Sequence, residues 1–162
     1  MDKSRKALFR KYYVALAYRK RYVEFDATKT VNVTDFIVST SDCLFAIELF
    51  IKLIKDIENG KVDSITGHSI QSLYSQLSIE DVRAVEDNYG EKIDVSTLPT
   101  DGYTASRYYW TYSGTNHGNG AYSLLLLDAF KDRFESICGP IPTESEIIDM
   151  MKFDGKGWVK VN

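Results

Sequence analysis

Histidine, cysteine and proline are scarce in this chain. Of 162 residues, two are histidine, two are cysteine and three are proline. No CxxC occurs, and His68 and His117 stand 49 positions apart. A structural zinc site needs four clustered ligands, so neither a metal nor a cofactor is expected. Cys43 and Cys138 both lie among apolar neighbours, as buried free thiols of a reducing compartment do. All three prolines follow residue 98, which leaves the first half of the chain free of helix breakers. No GxxxxGK[ST], GxSxG or HExxH is present, which removes the common nucleotide hydrolase, serine hydrolase and zinc protease readings. Long apolar runs are also missing. In the most apolar stretch the longest unbroken run is residues 43–47, far short of the roughly 20 a membrane span needs. The charged N-terminus has no apolar leader pattern. The expectation is a cytoplasmic protein with no membrane partner.

What is present is ordinary globular material, 44% apolar and 27% charged, in a length that suits one domain. The organising stretch is residues 34–59. At about 100° per residue its polar positions Ser41, Glu48, Lys52 and Lys55 form one narrow stripe. Cys43, Ala46, Ile47, Leu49, Phe50, Ile51, Leu53 and Ile54 cover most of the rest. A surface helix needs only about 100° of apolar arc, so this is the central helix of an all-α, antiparallel bundle. Glu48 and Lys52 form a favourable i,i+4 pair within it.

Other helices are predicted over residues 2–25, 69–77, 79–88 and 121–138. Ile79, Val82 and Val85 are read as the inward face of the fourth. Ser78-Ile-Glu-Asp81 resembles a capping box with Asp in place of Glu, and Thr143-Glu-Ser-Glu146 is a full one. The latter starts a short C-terminal helix expected to end near Phe153, before an extended tail or short strand over residues 158–161. Residues 91–106 form a long polar loop, and residues 113–120 a turn-rich break with three glycines.

Charge is unevenly spread. Residues 1–21 carry a net +7, and the other 141 residues a net −10. Lys3, Lys6, Arg10 and Arg21 share one side of the first helix, interleaved nearby with tyrosines. That pattern suits single-stranded RNA, with Tyr109 a further stacking candidate. Packing of a basic helix on an acidic remainder accounts equally for the charge split, and a solvated basic face with boundary tyrosines is the other reading of the pattern.

Three segments carry a resemblance: Ala46-Ile-Glu48-Leu-Phe-Ile-Lys52, then Gly67-His68-Ser-Ile-Gln-Ser-Leu73, then Ser106-Arg107-Tyr108-Tyr109-Trp110 before the last long helix. In this order they resemble the HEPN superfamily (higher eukaryotes and prokaryotes nucleotide-binding) of small helical bundles. The likeness covers residues 34–138, with residues 139–162 as a C-terminal extension of a single HEPN-like domain.

The resemblance implies a module of a prokaryotic or phage conflict system, such as toxin–antitoxin or antiviral defence. It would act as a homodimer, or as a hetero-oligomer with a larger defence protein. One implied role is binding a partner protein, nucleotide or RNA. The alternative is a metal-independent endoribonuclease with Arg107, His117, Glu48 and Lys52 as catalytic residues. Arg107 would hold phosphate and His117 would move the proton. Catalytic family members space arginine and histidine four to six residues apart, whereas nine residues separate Arg107 from His117. The other reading makes Arg107 an ion-pair partner of Glu48, and His117 a solvated turn residue. His68 is assigned to the start of the third helix, bonding its backbone.

Overall fold

The structure, a computed structural model, describes residues 2–26, 33–100, 124–148, 151–153 and 158–160. It is an all-α bundle, to which a short hairpin is appended near the C-terminus. Helix α1 spans Lys3–Asp26 and α2 spans Val33–Glu58. Asp2 caps α1, its carboxylate accepting the Arg5 backbone N–H at 2.8 Å. α2 buries Cys43, Ala46, Ile47, Phe50, Ile51, Leu53 and Ile54 completely, so its apolar girth is covered as the sequence predicts. It ends where Gly60 takes a φ of +62°, a left-handed conformation that favours glycine.

Helix direction follows from the side chains that meet. Tyr12 meets Phe50, Tyr18 meets Phe45 and Arg21 meets Asp42, so α1 and α2 are antiparallel. α3 (Ile70–Tyr74) and α4 (Ile79–Tyr89) follow, then α5 (Leu124–Ile137). Tyr12 reaches Phe134 and Glu135 while Arg19 reaches Asp128, so α5 also runs against α1. Arg133 meets Asp81 and Asn88 meets Ala129, which sets α4 antiparallel to α5. The long helices therefore alternate in direction along the chain around one apolar core.

The Ser78 cap is as the sequence predicts, and α3 has a serine cap that the sequence reading lacked. Ser69 accepts the Ser72 N–H, and Ser78 accepts that of Asp81. Asp81 is shorter than the usual Glu, and its Oδ2 accepts a hydrogen bond from the Ser78 hydroxyl at 2.7 Å. The inward face of α4 needs correction. Ile79 is 73% exposed, while Asp81 is buried with Val85. Asp81 turns inward because Arg133 of α5 is there to neutralise it, Nε to Oδ1 at 2.7 Å.

The polar loop after α4 is pinned where it is described. A 3₁₀ turn, Val95–Thr97, is capped by Asp94, and Leu98 is buried. Gln71 of α3 donates to the Val95 carbonyl from its side chain and to the Pro99 carbonyl from its backbone. Near the C-terminus, α6 is only Glu144–Ile147. The helix expected to reach Phe153 stops there. Met151–Phe153 instead pairs antiparallel with Trp158–Lys160, with Phe153 opposite Trp158. A β-ladder satisfies backbone groups that a one-turn helix leaves open.

Cys43 is buried as expected, its thiol pushed up to about 12 by burial, with Asp128 and Asp42 adding to the shift. Cys138 is only half-buried.

Asp42 gives a pH-dependent expectation. Burial raises its carboxyl above the ordinary 3.8, and the opposing pull of Arg21 is the smaller effect. A raised carboxyl binds its proton more tightly in the folded state. Its stabilising contribution is therefore present below 3.8 and is lost as pH rises through the raised value. Asp42→Asn should melt higher than the parent at pH 7. The difference should shrink as pH falls to the ordinary carboxylate range. A melting series over pH reads this, and a gap that widens in acid contradicts it.

Candidate functional site

The charged groups of α2 that the sequence singles out meet a third group from outside the helix. Glu48 sits at mid-helix and is 1% exposed. One turn on, Lys52 donates from Nζ to Glu48 Oε1 at 2.8 Å, and its side chain is 14% exposed. His68 Nδ1 lies 3.0 Å from the same oxygen, with 55% of its side chain exposed. Gly67 brings it there. With a φ of +103° it turns the chain just before Ser69 caps α3. The imidazole thus bonds a side chain of α2, a partner that the sequence reading did not name.

This arrangement has a definite chemistry. With Glu48 ionised, Nδ1 must carry the proton it gives to Oε1, which fixes the tautomer and the ring orientation. A buried carboxylate holding a half-exposed histidine is the pairing that orients imidazoles for proton transfer. Among the described residues Glu48 Oε2 is the buried side-chain atom with no hydrogen-bond partner. Leaving such an atom unpaired costs about 1–3 kcal/mol or more.

The basic side of α1 is largely engaged within the chain. Arg21 pairs with Asp42 at 3.2 Å and lies over the Tyr18 ring. Arg10 Nε donates to the Ile147 carbonyl at 3.4 Å. The neighbouring bases behave likewise. Lys11 bridges buried Asp56 and exposed Asp63, Arg19 grips Asp128 with two nitrogens, and Arg5 donates to the Pro140 carbonyl. Packing of a basic helix on acidic neighbours therefore accounts for much of the charge split. Lys3 and Lys6 remain, with no partner among the described residues.

Comparison with protein-family profiles, with curated proteins and with solved structures finds no match for this chain. Arg107, Tyr109 and His117 lie outside the described residues. Among the described residues no group of three or more His, Cys, Asp or Glu is placed to hold a metal ion. Nor is any described helix long and apolar enough to cross a membrane.

Sequence reasoning missed two features. One is the bond from His68 to Glu48, which spans 20 positions. A glycine before a histidine at a helix start was its one local sign. The other is the Asp56 network, in which Oδ1 accepts the Ser64 N–H and Oδ2 accepts from Lys11. No pattern in the sequence marks it.

Proposed function

We propose that this chain is a HEPN-like module of a prokaryotic or phage conflict system, working in the cytoplasm by binding a partner. Single-stranded RNA is the ligand its surface suits best. It would act as a homodimer or beside a larger defence protein. The HEPN-like reading draws support from Glu48, Lys52 and His68, which belong to two separate stretches of the resemblance and converge at one point. The binding reading is carried by Lys3 and Lys6, which have no partner among the described residues at the N-terminal end of α1, while the bases beyond them are engaged internally.

Anisotropy with labelled poly(U) in EDTA tests this. Two lysine contacts to a single strand predict a fall of about 1.4 log units in affinity per log unit of salt. The RNA should stay intact. Lys3→Glu with Lys6→Glu should flatten the slope. No binding at low salt would remove the RNA reading and leave a protein partner.

A second reading, metal-independent RNA cleavage, is favoured by the orientation of His68. In it Arg107 holds phosphate and His68 or His117 moves the proton. Cleavage in EDTA that spares DNA and is lost in His68→Ala or His117→Ala would establish it. Intact RNA after prolonged incubation would end it.

A further inference from the structure

The segment after α5, residues 139–148, runs back over α1 as a strap. It is fastened by three bonds from α1 side chains to its main-chain carbonyls. Arg5 Nη2 donates to Pro140 O at 3.1 Å, the Tyr13 hydroxyl to Pro142 O at 2.6 Å, and Arg10 Nε to Ile147 O at 3.4 Å. Of the strap side chains Ile147 is fully buried, at 0% exposed, and Ile148 is partly buried against the core. Pro140, Ile141 and Thr143 through Glu146 are at the surface or close to it. The strap carries Glu144 and Glu146 and no base. Both acids are close enough to Tyr13 to help burial raise its phenol above the ordinary value. Negative charge thus lies beside Tyr13 on α1.

We propose that this strap is an autoinhibitory contact, an acidic segment that occupies Arg5 and Arg10 and must lift before a polyanionic strand engages the whole basic end of α1. The proposal rests on the RNA-binding reading of α1 and adds its regulation. Its physical basis is the modest hold on the strap. A segment fastened by three hydrogen bonds, one exposed and two part-buried, with one fully buried side chain, opens at lower free energy than the bundle beneath it. The arginines are held through backbone carbonyls, and phosphate oxygens are stronger acceptors than carbonyls for guanidinium. A strand that binds both arginines gains contacts only in the open state, so binding shifts the population toward it.

The test uses the full chain and poly(U). Hydrogen exchange is followed at the Glu146 and Ile148 amides, which donate to the Thr143 and Glu144 carbonyls in the closed strap. Saturating poly(U) should speed exchange at these two amides and leave the α2 core unchanged. In a parallel arm, Ile147→Asp should release the strap, bind poly(U) more tightly and steepen the salt slope by about 1.4, for two added phosphate contacts. Tyr13→Phe removes one fastening at no cost to the core, and should fall between parent and Ile147→Asp. It keeps the test open if Ile147→Asp does not fold. Parent protein that binds poly(U) with both amides unchanged or slowed overturns the strap while leaving RNA binding in place. Equal salt slopes in parent and in a variant whose strap exchanges freely do the same. Failure of parent and opened variant alike to bind at low salt overturns the RNA reading, and the strap proposal with it.

Discussion

Phe50→Ala should lower the unfolding free energy by about 3–5 kcal/mol, seen as a fall in the urea midpoint with the m-value unchanged. Phe50 is fully buried on α2, and its ring meets that of Tyr12 edge-on at 6.2 Å. Tyr12 in turn contacts Phe134 of α5 at 5.3 Å, so the aromatic chain joins three helices. Truncating it removes transfer energy and leaves a cavity between elements that each have other reasons to stay put, which limits collapse. The Tyr12 hydroxyl donates to Glu135 at 2.6 Å, which fixes the ring and prevents it from filling the space. Ile79→Ala is the contrast. An inward Ile79 would cost several kcal/mol, but at 73% exposed it should cost within about 0.5 kcal/mol. A two-to-one ratio or less between the variants would contradict the burial assigned to α2.

That contrast shows which parts of the fold are legible in a sequence. α2 is legible because its apolar arc exceeds what any surface helix needs, so no tertiary detail can change its place. Its stop at Gly60 and the Ser78 cap of α4 are local chemistry, and local chemistry is written in adjacent residues. The orientation of α4 is different. Its apolar spacing points Ile79 inward, yet an ion pair between Asp81 and Arg133, 52 positions apart, decides the rotation. The end of α6 fails for a related reason. A capping box announces where a helix begins and says nothing of a strand partner seven residues further on. In the candidate site the i,i+4 pair of Glu48 and Lys52 is readable by spacing alone. The arrival of His68 depends on the path of the intervening loop. The same limit applies to α1, where a charge stripe fixes which bases share a side and leaves open which are already spoken for by Asp42, Asp56 or Asp128.

The Glu48 cluster supplies the second large effect. Lys52→Met should destabilise the protein by about 3–5 kcal/mol, since it leaves a buried carboxylate without its main counter-charge. The methionine side chain matches the lysine stem, so little of the loss comes from packing. Glu48 is 1% exposed and cannot recover by hydration. His68 remains at 3.0 Å, but its half-exposed ring is a weaker anchor than the ammonium. Glu48→Gln in the Lys52→Met background should restore much of the stability, because a neutral amide is far cheaper to bury than an unpaired carboxylate. Glu48→Leu with Lys52→Leu should come close to the parent or exceed it, as replacements of buried ion pairs by apolar residues do. Urea unfolding of the four proteins measures this directly. If Lys52→Met costs no more than an exposed i,i+4 pair, about 0.3–0.5 kcal/mol, then Glu48 is not held as described. If the double leucine variant folds well yet loses RNA binding or cleavage while the parent shows it, the pair serves function and not stability. That outcome would also explain an Oε2 with no partner: a group kept for what it does can be left imperfectly satisfied.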